Sequence, residues 1–109
     1  MRGPRITELD ITRFTEGDCH ILAKVLNTLI GWPMYALHMG DNDPNIHAFV
    51  FSKGTVIDVR GARESAELFE EWEYAEGMIE APEIDWGPAI FPGSWRRART
   101  IAPLLIPAP

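Results

Sequence analysis

Residues 47–61 read HAFVFSKGTVIDVRG, two β-rich runs on either side of a Lys53-Gly54 pair. A two-residue connection that ends in glycine between such runs is a signal for a β-hairpin. With these two residues as the turn, Ser52 faces Thr55, and the pairing of all the preceding and following residues is then set. The stretch therefore predicts two antiparallel strands joined as a hairpin.

This register places four side chains on one face of the hairpin. His47 faces Arg60 and Phe49 faces Asp58, and residues two apart along a strand share a face. His47 and Asp58 are then diagonal neighbours, about 7–8 Å apart, which longer side chains bridge. A charge within the apolar run VIDVRG is disfavoured by propensity and burial, so Asp58 needs a partner. The spacing allows Asp58 to orient the His47 imidazole, with an Asp58–Arg60 ion pair as the structural alternative.

The segment upstream of the hairpin contains the only cysteine of the chain, within TEGDCHILAKVLNTLIG, residues 15–31. Apolar residues recur there at the three- and four-residue spacing of an amphipathic helix: Leu22, Val25, Leu26 and Leu29. Asp18 is a natural N-cap and Gly31 a natural terminator. The pattern predicts a helix with Cys19 at its first position.

The remaining segments predict an α+β fold in one domain, residues 1–109, since the chain is long enough for a single modest core. WPMYALHM predicts a strand before the hairpin, whereas ITELDITRF fits a short helix or an extended lead-in. A second helix is expected at Ser65–Glu76, irregular backbone over 77–93, and a closing helix from Ser94 that bends or stops near Pro103. We expect the cysteine helix to pack on an antiparallel sheet of about three strands, with one or two further helices.

Composition and charge argue against several classes of protein. Hydrophobic residues make up 46% of the chain, which favours a folded globule, and no apolar run approaches the ~20 residues of a membrane span. The N-terminus lacks the uninterrupted apolar segment of a secretory signal, and a lone cysteine fits a reducing, cytoplasmic location. Residues 61–85 carry nine acids against one base, Arg63, which disfavours direct binding of nucleic acid.

Cys19, His47 and Asp58 form a candidate catalytic set. A helix N-terminus and a nearby imidazolium both lower the pKa of a thiol, and Cys19 and His47 offer this combination. His47 can serve as base and acid, and Asp58 can hold its tautomer. The first-turn backbone N–H of Cys19 is a candidate oxyanion donor. Asp18 acts in the opposite direction, because an adjacent carboxylate raises a thiol pKa unless it turns away.

GDCH at the start of a helix, followed by HAFVF and VIDVRG, resembles the catalytic core of papain-fold cysteine enzymes over roughly residues 15–61. The resemblance is to transglutaminase-like and NlpC/P60-like members and to small bacterial and phage proteins. It implies Cys19 as nucleophile, His47 as general base and acid, and Asp58 as orienter, with no cofactor. It also implies attack on an amide or thioester of a peptide or protein substrate through an acyl-enzyme, as in a peptidase, amidase, deamidase or acyl transferase.

Two other interpretations remain open at the level of sequence. The first is a metal site from Cys19, His20, His38 and His47 with Asp41 or Asp43, although the spacing matches no compact zinc motif and we expect no metal. The second is a non-enzymatic acidic protein, of the kind phages use as inhibitors or nucleic-acid mimics, that binds a basic protein partner. Its binding residues would be acids of the second predicted helix: Glu67, Glu70, Glu71 and Glu73. For the enzyme, His20 and Trp32 are candidate substrate-binding residues.

Overall fold

A computed structural model describes residues 3–38, 47–73, 75–81 and 87–107. The chain folds into an α+β structure in which helices pack on both faces of one antiparallel sheet, as the sequence predicts for the class. No helix in these ranges is long and apolar enough to cross a membrane.

Two helices precede the sheet. Helix α1, Glu8–Glu16, begins with a capping box in which Thr7 and Asp10 satisfy each other's backbone amides. This cap decides in favour of a helix where the sequence pattern left two possibilities. Helix α2, Cys19–Ile30, starts with Cys19 as predicted and ends at Gly31, whose φ of 75° is the left-handed conformation that glycine adopts easily.

The sheet has five strands in the order β4-β3-β2-β1-β5, and every adjacent pair is antiparallel. The strands are β1 Met34–His38, β2 His47–Ser52, β3 Thr55–Asp58, β4 Gly61–Glu64 and β5 Gly77–Glu80. The three predicted strands form the centre, and β4 and β5 add one strand to each edge. Both edge strands have only four residues and weak β-propensity, so their pairing with a neighbour stabilises them more than their own sequence does.

The predicted register of the central hairpin is confirmed, with Ser52 paired to Thr55 and Val50 to Ile57. Lys53 and Gly54 both have positive φ, 51° and 84°. Positive φ at both central residues is typical of a type I′ turn, whose twist matches that of the flanking strands. The turn chemistry therefore places His47 and Asp58 on the same face.

Of the two helices that follow β4 in the chain, the first ends earlier than predicted. Helix α3 is Ser65–Glu71, shorter than the expected Ser65–Glu76, because the chain leaves the helix at Trp72 and returns to the sheet as β5. Part of the segment expected to be irregular is thus a strand. Helix α4, Ser94–Leu105, starts as predicted and continues two residues past Pro103, which lies in its last turn.

The core has two parts, one on each side of the sheet. Helices α1, α2 and α4 cover one face, where residues such as Leu22, Leu26 and Ile101 pack against Val50 and Ile57. Helix α3 covers the other face, where Leu68 packs with Phe49 and Val56. Cys19, the first residue of α2, belongs to the first part of the core, whereas His47, the first residue of β2, stacks on Phe49 of the second part.

Candidate active site

Cys19 lies against the beginning of β2. Its side chain is 6% exposed, and its Sγ accepts a hydrogen bond from the backbone N–H of Ala48 at 3.3 Å. The thiol is therefore mostly buried, as a core cysteine would be, but it is surrounded by polar groups. A sulfur with an N–H donor directed at it is better able to carry a negative charge than one in an apolar core.

His47, the first residue of β2, contacts Asp58 at the end of β3. Its Nε2 lies 2.9 Å from Oδ2 of Asp58, and both side chains are almost completely buried. The contact that the hairpin register allowed is thus present. Nδ1 of His47 makes no aligned hydrogen bond among the described residues, and the ring's remaining polar interaction is with Cys19. Nδ1 is therefore the nitrogen available to the sulfur.

Asp58 also has an arginine partner, but the ion pair is with Arg63 and not with Arg60, the partner in the structural alternative. Nη2 of Arg63 donates to Oδ2 of Asp58 at 3.0 Å, and Arg63 also binds Glu71 at 2.7 Å. The Arg60 side chain instead lies 3.5 Å from Glu71, while its backbone N–H donates to Oδ1 of Asp58 at 2.9 Å. Asp58 thus serves the imidazole and the arginine together. The available signal for Arg63 was its position as the single base among the acids of residues 61–85.

Trp72 covers the imidazole. Its ring stacks on that of His47 with centroids 4.9 Å apart and an interplanar angle of 17°, and Phe49 lies at 6.0 Å. Trp72 falls within the second predicted helix, Ser65–Glu76, and the sequence gives no sign of its contact with His47. Its indole excludes water from the His47–Asp58 pair, and this strengthens the electrostatic interaction between them.

These contacts shift the pKa values of the cysteine and the histidine in opposite directions. Burial acts to raise the pKa of Cys19, but interactions with His20, His47 and the Ala48 amide outweigh it and lower the pKa to about 6. Burial acts to lower the pKa of His47, but Asp58 and Cys19 outweigh it and raise the pKa to about 9. Between pH 6 and pH 9, both shifts favour a thiolate at Cys19 and an imidazolium at His47.

Burial acts to raise the pKa of Asp58, but other interactions lower it. The carboxylate accepts hydrogen bonds from His47 and the Arg60 amide, and it lies near the positive charges of His47 and Arg63. The carboxylate is therefore ionised throughout the pH range, about 6 to 9, in which the shifts of Cys19 and His47 favour a thiolate and an imidazolium. A buried pair of this kind needs its remaining hydrogen-bonding capacity satisfied, and the second basic partner does this.

The two candidate substrate-binding residues lie in different places. His20 is half-buried, and its imidazole interacts with the Cys19 thiol and with Gly87; the hydrogen bond with Cys19 is the main reason its pKa is raised. Trp32 follows the opposite end of α2, about 18 Å away along a helix of 12 residues, where it packs on the core. The structure thus places His20 next to the thiol and Trp32 far from it.

Asp18 occupies the N-cap position of α2 without capping it. Its fully buried carboxylate instead accepts hydrogen bonds from the N–H of Ile90 at 2.8 Å, the N–H of Phe91 at 3.0 Å and the hydroxyl of Ser94. Burial acts to raise the Asp18 pKa, and these donors lower it. The negative charge next to Cys19 is therefore compensated by the segment that precedes α4.

The acids proposed for partner binding do not form one uniform surface. Glu67 and Glu70 are exposed on α3, and Glu73 is exposed beyond its end. Glu71 is engaged by Arg63 and Arg60, and it also accepts from the Trp72 indole at 3.1 Å. Glu71 thus belongs to the support of the His47–Asp58 pair, because it holds Arg63.

For metal binding, His38 on β1 does not join the other candidates in a ligand cluster. Within residues 3–38, 47–73, 75–81 and 87–107 there is no group of three or more side chains of the types that hold a metal ion. Asp41 and Asp43, the carboxylates of that interpretation, lie outside the described residues.

Comparison with known proteins adds no relative: no family model, no curated protein and no solved structure matches this chain. The geometry of the site is therefore the basis for assigning a function.

Proposed function

We propose that this protein is a cysteine hydrolase or acyl transferase of papain-like type, with Cys19 as nucleophile, His47 as general acid and base, and Asp58 as orienting carboxylate. The observation that carries the proposal is the buried thiol beside an imidazole whose Nε2 is held by Asp58 at 2.9 Å. A structural cysteine has no need of this arrangement. An activated thiolate with a proton donor next to it is what attack on an acyl group requires.

In the proposed reaction, the Cys19 thiolate adds to the carbonyl carbon of an amide or thioester. The oxygen of the tetrahedral intermediate is stabilised by first-turn N–H groups of α2, including that of Cys19. The His47 imidazolium gives the Nδ1 proton to the leaving amine or thiol as the acyl bond breaks. Neutral His47 then removes a proton from water or an acceptor amine, which attacks the acyl-enzyme and releases the thiolate.

The pH dependence of alkylation tests the state of the thiol. We expect the rate of Cys19 alkylation by iodoacetamide to rise with a midpoint near pH 6, compared with about 8.5 for a free thiol. The midpoint is more informative than the rate, because burial slows access at every pH. His47→Gln should move the midpoint upward, since the imidazolium is lost. His38→Gln is the matched control and should leave it unchanged.

An acyl donor tests the chemistry itself. With p-nitrophenyl thioacetate, the proposal requires a stoichiometric burst of p-nitrothiophenol and one acetyl group on Cys19, located by mass spectrometry. Hydrolysis of this adduct should slow on the order of a hundredfold or more in His47→Gln, in the range of general-base effects. If the thiol shows the shifted alkylation midpoint but is never acylated, the proposed enzymatic activity is wrong. The protein would then be a binding protein with a cysteine of lowered pKa.

The alternative, an acidic protein that binds a basic partner, depends on Glu67, Glu70 and Glu73. Reversing these acids to Lys would abolish such binding, and rising salt would weaken it as the Debye length falls from ~10 to ~3 Å. Cys19→Ala would have no effect on it. The enzyme requires the reverse pattern in one shared readout, such as growth on expression: loss with Cys19→Ala in a folded protein, and little change with the charge reversals.

A further inference from the structure

A groove between α2 and α4 lies on the opposite side of α2 from the thiol. Its volume is about 250 Å³, and it is lined by Lys24, Val25, Thr28, Leu29, Trp95 and Arg99. Thr28 follows Cys19 by nine residues, which at 3.6 residues per turn places it half a turn out of phase. The α2–α4 groove is therefore separate from the candidate active site, and the proposal below does not rest on the proposed function.

The walls of the groove combine two exposed apolar side chains with two cations. Leu29 is 52% exposed and Trp95 is 44% exposed, which is unusual for large apolar residues placed side by side. The guanidinium of Arg99 lies 5.9 Å from the centroid of the Trp95 ring, a cation–π distance that holds the charge at the edge of the groove. Lys24 supplies the second charge from α2.

Neither cation is neutralised within the part of the chain that the structure describes. The ion pairs there use Arg60, Arg63, Arg97 and His47, and none includes Lys24 or Arg99. The lining of the groove contains no acid, although the chain has 16 acids and 10 bases. The two cations are thus complementary to carboxylates supplied from outside.

The size of the groove limits its occupant. A volume of about 250 Å³ is below the ~300–1,000 Å³ of sites that enclose a drug-sized ligand, but it is suitable for one apolar anchor side chain. We propose that the α2–α4 groove binds a segment of another protein that inserts one Leu or Phe side chain between Leu29 and Trp95 and places flanking Asp or Glu side chains against Lys24 and Arg99.

Synthetic peptides test this proposal in the full-length protein. The probe is acetyl-Gly-Glu-Glu-Phe-Glu-Gly-amide, and its two comparison peptides replace either Phe by Ala or every Glu by Lys. In ¹H–¹⁵N NMR titrations, the probe should shift amides of residues 24–29 and 95–99 in a saturable manner. Both comparison peptides should bind at least about tenfold more weakly than the probe, and higher salt should weaken the binding of the probe.

Variants distinguish binding in the groove from a general effect of surface charge. Lys24→Glu with Arg99→Glu should weaken probe binding on the order of tenfold, because two attractive surface charge pairs become repulsive. Arg96→Glu makes the same kind of charge change on α4 outside the groove lining and should leave binding within about twofold. Trp95→Ala is the second variant, which removes an apolar wall and should abolish binding while circular dichroism stays native.

Three results would overturn the proposal. The first is equal binding of the Lys peptide, which would remove the charge complementarity. The second is dodecanoate shifting the same amides when the peptide does not, which would make the groove a site for a small amphiphile. The third is concentration-dependent self-association that Trp95→Ala abolishes, which would assign the groove to a second copy of this chain.

Discussion

Asp58 contacts both the candidate active site and the backbone of the turn that follows it. Its Oδ2 binds His47 and Arg63, and its Oδ1 accepts the backbone N–H of Arg60, two residues on, which is the hydrogen bond of an Asx turn. The carboxylate therefore shapes the connection between β3 and β4 while it orients the imidazole. Because of this, its substitution affects both the fold and the site, and the two effects must be measured separately.

Asp58→Asn separates these roles. Asn retains the side-chain oxygen that the Asx turn needs, but it cannot stabilise an imidazolium by charge. We expect the His47 pKa, measured by NMR, to fall from its raised value near 9, since Asp58 is the main cause of the increase. The amide chemical shifts of β3 and β4 should stay near those of the wild type.

Asp58→Ala is the comparison, because it also removes the turn acceptor and should destabilise the fold by about 1–3 kcal/mol more than Asp58→Asn. A His47 that titrates identically in the wild type and in Asp58→Asn would show that Asp58 serves only Arg63 and the turn.

At the scale of elements, the beginning of α4 and the residues before it are hydrogen-bonded to the N-cap residue of α2. Asp18 accepts from Ile90, Phe91 and Ser94, which are more than seventy residues away in sequence. A second long-range pair links α1 to α4, where Arg97 binds Asp10 at 2.7 Å. Helix α4 is thus held at its beginning by two buried aspartates from the two N-terminal helices.

Asp18→Asn should loosen this connection. The side chain keeps its size, but an amide replaces a charged acceptor that satisfies three donors, and hydrogen bonds to a charged group contribute about 1.5–3 kcal/mol each. We expect the free energy of unfolding, measured in urea, to fall by about 3 kcal/mol. Glu16→Gln, an exposed acid two residues earlier, is the control and should change stability by less than about 0.5 kcal/mol. Equal effects of the two substitutions would contradict the role of Asp18.

At the scale of the whole molecule, the shifted pair links folding to pH in two opposing ways. The pKa of His47 is raised from 6.5 to about 9, so its contribution to stability is complete below pH 6.5 and is lost as the pH rises toward 9. The pKa of Cys19 is lowered from 9.0 to about 6, so its contribution is complete above pH 9 and is lost as the pH falls toward 6. Between pH 6.5 and 9, the two contributions change stability in opposite directions as the pH rises, and they offset each other.

Cys19→Ala should therefore change how thermal stability varies with pH as well as the thermal stability itself. Without the thiolate, the His47 pKa is raised by Asp58 alone, so its contribution is smaller but no longer offset, and thermal stability should fall as the pH rises above 6.5. The wild type should be flatter over the same range. Parallel profiles for the two proteins would mean that the folded state holds Cys19 as a neutral thiol, and the proposed nucleophile would be lost with it.

The sequence by itself determined α2, the central hairpin and the face shared by His47 and Asp58. Each of these depends on local rules: the periodicity of apolar residues, a glycine that ends the helix, and a Lys53-Gly54 turn with positive φ at both residues. From the same rules, Cys19 at the first helical position could be predicted as the candidate nucleophile.

Only the tertiary structure decided the surroundings of that thiol and of its histidine. The Ala48 amide on Sγ, the choice of Arg63 over Arg60 and the Trp72 ring over His47 are contacts between separate elements, and no local propensity encodes them. The edge strands β4 and β5 and the early end of α3 belong with these, because pairing with a neighbouring strand outweighed weak intrinsic preference. Local pattern specified which side chains share a face, whereas long-range packing and the burial of charge selected their partners.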